Sequence, residues 1–339
     1  MKLIHHVEEH NVSYVCNVFC ERDPAYDNLA GPVWWHVDTP ARAELSVPGE
    51  LMLNKEFCIK YDMTVTSNVL GGDVEHILSA ALQDVSGEVY LLNPTASILA
   101  GLFRSEHVSA DLPDQFHMRV VATESRLKTI TDPFLIASMT ADLIETDLLT
   151  LRSVDSLAQR AIIITPVHLI SVVQIDEQVI GLTAVERECV ESANASARSV
   201  FEAGEAFSLR TPPLSKVQQT LKSEIGEGVS EEFRSVIQTL QHTNKMSNRL
   251  DGVTLSLLVA ARHNVLLYEI SKWGEDVGVA SKATFSRTKS ELENKGLIST
   301  EKVPIEVGRP RLRLQVAAES VAEADPEELA ENAYALLNN

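Results

Sequence analysis

Cysteine, aromatic side chains and basic charge are all in short supply in this 339-residue chain. Four cysteines cannot form the framework of a disulfide-stapled domain, and so few in a chain this long fit a reducing compartment. Aromatic residues make up 5%, which leaves Leu, Ile, Val and Ala to build the cores. No apolar run is long enough for a membrane span: AIIITPVHLISVV (161–173) is too short and contains Pro166 and His168. The opening MKLIHHVEEH lacks the apolar segment of a secretory leader, so a cytoplasmic protein with no membrane partner is expected. Catalytic signatures are missing too: there is no G-x-S-x-G and no Walker A, and GEGVSE (226–231) stops short of a complete G-x-G-x-x-G.

Against 48 Asp+Glu stand 29 Lys+Arg, a formal net charge of −19. The surplus is either ordinary solubilising charge or adaptation to molar salt, where dense carboxylates keep a protein hydrated. With 12 lysines to 17 arginines and abundant Ala and Val, the halophilic reading is preferred. An apolar content of 45% and a charged content of 23% are otherwise ordinary for a globular chain of two or three domains.

Residues 1–62 stand apart, with Cys16, Cys20, Cys58, Trp34 and Trp35 and little periodicity. They read as a poorly ordered extension or a mis-called start, with Met63 close to the true beginning. Residues 63–245 alternate helix and strand patterns, indicating an α/β domain with a largely parallel sheet; its place ahead of a separate C-terminal module, rather than any residue in it, suggests the sensing or dimerisation part. Asp73 should cap a helix whose apolar stripe is Val74, Ile77, Leu78, Ala81 and Leu82. Strands are expected at 87–93, 116–123, 147–153 and 160–166, with a hairpin of 168–174 and 178–184. Helices are expected at 94–103, after an Asp132 cap, at 184–203 and within 215–240. A polar linker spans 241–252. From 246 to 318 the order is helix (Asp251 cap), helix (Asn264 cap), turn, helix (Ser281 cap), strand, loop, strand, which is that of a winged helix-turn-helix. Residues 319–339 end in a helix capped by Asp325, whose narrow apolar face suggests a homodimer.

Charge is distributed unevenly within this plan. Residues 262–316 hold 10 bases and 7 acids, and 277–290 contain no acid at all. A duplex carries about one negative charge per 1.7 Å of axis, so a helix entering its groove cannot present carboxylates to it. The segment 281–295 is therefore the candidate recognition helix for the major groove, and 304–313 the candidate wing for backbone or minor groove. Phe285 and Leu292, seven apart, should face the core. Ser281, Lys282, Thr284, Ser286, Arg287 and Lys289 should then lie around the exposed side, joined by Arg309, Arg311 and Arg313 of the wing. Arg287 is the choice for a bidentate guanine contact, while Ser281, Thr284 and Ser286 suit phosphate or short base contacts. Gly308 and Pro310 shape the loop.

The run LLYEISKWGEDVGVASKATFSRTKSELENKGLI (266–298) with EKVPIEVGRPRLRL (301–314) resembles the haloarchaeal TbsP-like winged-helix transcriptional regulators. The resemblance extends back to about Val65. It implies regulation of transcription at promoter DNA in halophilic archaea, and control of central sugar metabolism genes. It also implies an α/β part similar to the sensor domains of TrmB-like regulators, with a phospholipase-D-like fold lacking catalysis. One departure from the general winged-helix pattern is Lys289, four after Phe285, where an apolar residue is usual.

An enzymatic alternative is a degenerate or unrecognised α/β hydrolase with an accessory winged domain. Phospholipase-D-type catalysis needs His-x-Lys, and no histidine here has Lys two residues on; His117-Met118-Arg119 comes nearest. Cys189, in an amphipathic helix pattern, reads as a small buried residue rather than a nucleophile. His10, Cys16, Cys20 and His36 could ligate a metal, but the second Cys pair of a zinc site is missing. No enzyme activity, cofactor or metal is therefore expected. A small-molecule effector could sit at helix N-termini near Asn93-Pro94-Thr95 or Thr123-Glu124-Ser125, although simple caps account for both. If Met63 is close to the true start, peptide mapping of the expressed protein should find N-terminal peptides there; abundant peptides from 1–62 would refute this.

Overall fold

The computed structural model describes residues 68–104, 116–175, 178–242, 251–306, 308–325 and 328–329. The expectations for 1–62, including the His10, Cys16, Cys20 and His36 set, lie outside the described residues, as does the helix expected beyond Leu329.

Two architectures follow one another. The first is a mixed sheet of eight strands: β1 (Asn68–Gly72), β2 (Gly87–Leu92), β3 (Phe116–Thr123), β4 (Leu149–Val154), β5 (Ala161–Ile164), β6 (Leu169–Ile175), β7 (Gln178–Ala184) and β8 (Glu205–Ala206). Their order is β1-β7-β6-β5-β2-β3-β4-β8. Only β2–β3 and β3–β4 are parallel; β1–β7, β2–β5, β4–β8, β5–β6 and β6–β7 are antiparallel. The expected largely parallel sheet is thus corrected to a mixed one. Parallel neighbours need a crossover, and helices follow only β2 and β3 in that role: α2 (Ala96–Arg104), then α3 (Glu124–Ile130) and α4 (Phe134–Glu145). From β4 to β7 no helix intervenes, so the chain returns antiparallel.

Alternation along the strands separates two packing faces. Val89, Leu91, Met118, Val120, Leu149, Leu151, Ile163 and Ile170 join the main core beneath α1 (Val74–Leu82), α2 and α4. Tyr90, Leu92, Val121, Ile162 and Ile164 are also buried. Tyr90 meets α5 (Arg187–Ala203) through an edge-on contact with Phe201, ring centroids 6.3 Å apart. Arg152 reinforces the attachment. Its guanidinium lies 4.5 Å over the Phe201 ring and donates to the carbonyls of Phe201 (3.0 Å) and Glu202 (3.1 Å), where the helix leaves its C-terminal acceptors open.

Helix ends mostly follow local chemistry. The Asp73 carboxylate accepts from His76 N–H at 2.8 Å, and Asp251 accepts from Val253 and Thr254 N–H, both at 2.8 Å. Two expected caps are corrected. Pro133, not Asp132, occupies the N-cap of α4, and no side chain bonds to that helix end. Asn264 has φ 55° and belongs to the turn; Leu266 is the N-cap of the next helix. An Asn side chain supports that left-handed conformation locally, so it ends one helix instead of starting the other.

Two helices join the architectures, α6 (Leu214–Glu224) and α7 (Glu227–His242). The expected linker is correspondingly shorter, since 241–242 end α7 and Gly252 opens α8 (Gly252–Arg262). Toward the sheet, Ser138 Oγ donates to Pro212 O at 2.6 Å and Ser215 Oγ to Asp142 at 2.6 Å. Toward the other side, Trp273 Nε1 donates to Thr220 Oγ1 at 3.0 Å, and Glu232 pairs with Arg262 at 2.8 Å. One buried apolar cluster runs through both parts, from Ile77 and Leu91 through Phe233 and Val236 to Leu257, Trp273, Phe285 and Leu314.

The second architecture comprises α8, α9 (Leu267–Val277), α10 (Lys282–Asn294), the antiparallel hairpin β9 (Ile298–Val303) and β10 (Arg311–Val316), and α11 (Glu319–Ala322). An isolated bridge from Leu266 to Arg313 adds a third backbone line to the hairpin. Every residue of α8 from Gly252 to Ala261 is buried. Gly274 lets the Phe285 ring approach its backbone closely: a Cβ there would lie 2.3 Å from the ring. Overpacking of this kind costs about 1–3 kcal/mol, occasionally more, so Gly274→Ala should lower stability by roughly that amount in urea unfolding. An unchanged midpoint would show that this contact does not set the packing of α9 on α10.

Candidate nucleic-acid interface

The turn between α9 and α10 begins at Gly278, whose φ of 96° suits a residue without Cβ and closes α9 with a bond from its N–H to Gly274 O. Ser281 then caps α10, accepting from Thr284 N–H at 3.2 Å, and its hydroxyl lies 3.0 Å from that of Thr284. Both hydroxyls are therefore engaged in starting the helix. Phe285 and Leu292 are buried, as the seven-residue spacing predicts. Ser286 and Arg287 are exposed, and Arg287 makes no ion pair with any described residue.

Lys282 is exposed but forms an ion pair with Glu275 of α9, and its backbone N–H donates to the same carboxylate at 3.3 Å. The hydrogen bond from Lys282 and its charge hold the Glu275 carboxyl below the usual carboxylate range. Lys289 departs from the exposed face expected for it. Its side chain is 12% exposed, and Nζ sits 2.7 Å from Glu293. Glu293 also accepts from Thr300 Oγ1 of β9 at 2.7 Å. Desolvation pushes this carboxyl up, but the bonds from Lys289 and Thr300 hold it below the ordinary value. A lysine can occupy a usually apolar position because its methylene stem packs while the ammonium reaches this carboxylate.

In the hairpin, Gly308 has φ 115°, the conformation that the loop reading required of it. Arg309 is exposed. Arg311 is stacked, its guanidinium 3.6 Å from the centroid of Tyr268. Arg313 lies 3.7 Å from Glu301, its partner across the hairpin. A cleft of about 380 Å³ brings Lys282, Ser286, Arg309 and Arg311 together with Tyr268 and Ile305. Tyr268 is 46% and Ile305 38% exposed. Neither these two nor Glu275 was apparent as part of the site from charge alone, although an aromatic residue opening α9 was a usable signal.

The effector candidates are plain structural caps. Thr95 Oγ1 accepts from Ile98 N–H at 3.2 Å and Thr123 Oγ1 from Arg126 N–H at 3.3 Å. Asn93 Nδ2 donates to Ala158 O at 3.0 Å. A second cleft of about 300 Å³ runs beside Val74, Thr95, Ile98, Arg160 and Val179. Cys189 is exposed rather than buried, because it lies on the outer side of α5, away from Val190, Ala193, Ala197 and Phe201. Among the described residues no group of three or more His, Cys, Asp or Glu is placed to hold a metal ion, and no helix is long and apolar enough to cross a membrane.

None of the curated proteins matches the chain. A solved structure described as TrmBL2, an archaeal chromatin protein with a novel mode of DNA binding, matches at 15% identity and a TM-score of 0.33. That match covers 46% of this chain and 59% of the other, so the chain spans about three fifths of that relative's length; the likeness is too slight to show a shared fold. Family models are more informative. Residues 66–212 match the N-terminal domain of the TbsP-like transcriptional regulators, and residues 213–334 match their C-terminal helix-turn-helix domain. With both parts matched in sequence along 66–334, the chain belongs to the TbsP-like transcriptional regulators.

Proposed function

We propose that the protein is a sequence-specific regulator of promoters, with α10 reading bases in the major groove and the wing, 304–313, following backbone or minor groove. The observation that carries this reading is the cleft in which Lys282 and Ser286 of the candidate recognition helix meet Arg309 and Arg311 of the hairpin, in a chain of net charge −19. Arg287, next to Ser286 and exposed, is the residue for bidentate recognition of guanine. Arg309, in the loop, supplies a phosphate or minor-groove contact, and Arg313 lies beyond it on β10. Lys289 contributes within α10 by holding Glu293, which in turn accepts from Thr300 of the hairpin. Ser281 and Thr284 contribute by starting the helix, which presents its first exposed turn to the groove.

The same proposal includes a homodimer on paired half-sites and a small-molecule effector. An archaeal, high-salt setting and control of central sugar metabolism genes are supported by the family resemblance and the acid surplus. Selection of binding sequences from a random duplex pool supplies the operator needed for a test. Arg287→Ala should then weaken operator binding by about 1–3 kcal/mol more than it weakens binding to a random-sequence duplex. Arg309→Ala should weaken both alike and reduce the salt slope by about one. Retention of full sequence preference by Arg287→Ala would remove α10 from the reading role.

A further inference from the structure

Six cations were singled out for the DNA face, yet three of them already hold a carboxylate. Lys282 is paired with Glu275, Lys289 with Glu293, and Arg313 with Glu301. Arg287 and Arg309 have no such partner among the described residues, and Arg311 is stacked on Tyr268 without a carboxylate. Lys272, which belongs to the same α9, is likewise tied to Asp276 at 2.7 Å.

This arrangement matters because non-specific attraction to DNA comes almost wholly from counterion release. When an unpaired cation meets a phosphate, the phosphate sheds a condensed ion and affinity falls as salt rises. When Lys282 leaves Glu275 for a phosphate, the vacated carboxylate takes up a cation from solution. The ion shed by DNA is matched by the ion gained by protein, and the contact adds almost nothing to the salt slope. The pairs are also partly exposed, the Lys282 and Glu275 side chains at 45% and 43%. Exposed pairs of this kind contribute little to folding. Their larger effect is on the charge that an approaching duplex meets.

Resting on the DNA-binding reading, we infer that Glu275 and Glu301 are specificity-determining residues: by holding Lys282 and Arg313 as internal ion pairs, they suppress sequence-blind attraction and leave selection to Arg287 and Arg309. Glu275 is the stronger of the two, because it also accepts from the backbone at the start of α10 and because Lys282 lines the cleft. Glu301 faces both Arg313 and Gln315, the latter at 3.2 Å.

The test is the salt dependence of the full-length protein binding a short mixed-sequence duplex, alongside Glu275→Gln and Glu301→Gln. Both substitutions keep a hydrogen-bond acceptor and remove the charge. Three unpaired cations predict a slope of about 3 per protomer for the native protein, against more than 5 if all six were available. Each variant should bind this duplex more tightly at low salt and lose about eightfold more affinity than the native protein over a tenfold rise in salt. Matched thermal unfolding shows whether each variant is folded, and Glu301→Gln, on the exposed hairpin, provides the reading if Glu275→Gln destabilises α10. A native slope above 5, or variants with the native slope, would overturn the inference while leaving DNA binding intact. No binding to duplex at any salt would instead overturn the DNA reading itself, and this inference with it.

Discussion

The contact on which the basic face of α10 depends is that of the Phe285 ring with the bare backbone of Gly274. A side chain of any size at 274 would occupy the space now filled by the ring. Phe285 is fully buried between α9 and α10, so its depth sets both the separation and the rotation of α10. Rotation matters more than separation, because a helix presents a new side chain about every 100°. Turning α10 by one position would bury Thr284 or Ser286 and expose apolar surface. Trp273, the neighbour of Gly274, extends the constraint to Thr220 of α6. Asp142 and Ser138 then tie the start of α6 to the sheet-packed helix α4.

Those bonds make α6 more than a connector. It bonds with α4 at one end and with α9 further along, so a displacement of α4 would reach Trp273 through a single helix. Buried Leu214, Val217 and Leu221 hold that helix to the common core. Close-packed interiors transmit strain because they have few voids in which to absorb it. This is a physical route by which events on the sheet could bear on the basic cleft, and it needs no loop to move.

The elements governed by local chemistry were legible in the sequence, and those governed by distant partners were not. Asp73, Asp251 and Ser281 cap helices because a short oxygen-bearing side chain next to free N–H groups needs nothing else. The strand Phe116–Thr123 was readable from its composition and flanking turns. Strand direction was not, since alternating helix and strand patterns hide the fact that only α2, α3 and α4 lie within parallel crossovers. Asn264 shows the limits of composition: the same side chain suits a helix start and a left-handed turn, and hydrogen bonding around it decides. The basic face was likewise only half legible. Counting charges located α10 and the hairpin, but the pairing of Lys289 with Glu293 across one helical turn, and of Lys282 with Glu275 across the turn of the motif, arises from the fold.

An acidic protein faces a particular difficulty in approaching a polyanion. Free lysines would draw it to any duplex, while a uniformly anionic surface would repel every duplex. Pairing half of the six candidate cations internally would avoid both extremes, provided that some cations with directional chemistry stay open. Arginine suits that role, because its planar fork of donors matches a guanine edge or a phosphate, whereas an ammonium acts as a point charge. Here lysines 272, 282 and 289 and Arg313 carry the internal pairs, and the open positions at 287 and 309 are arginines. The division also suits concentrated salt, where the Debye length falls to about 3 Å and only groups in near contact still interact strongly. Under those conditions long-range attraction is lost whatever the net charge, and hydrogen-bond geometry is what remains to distinguish one sequence from another.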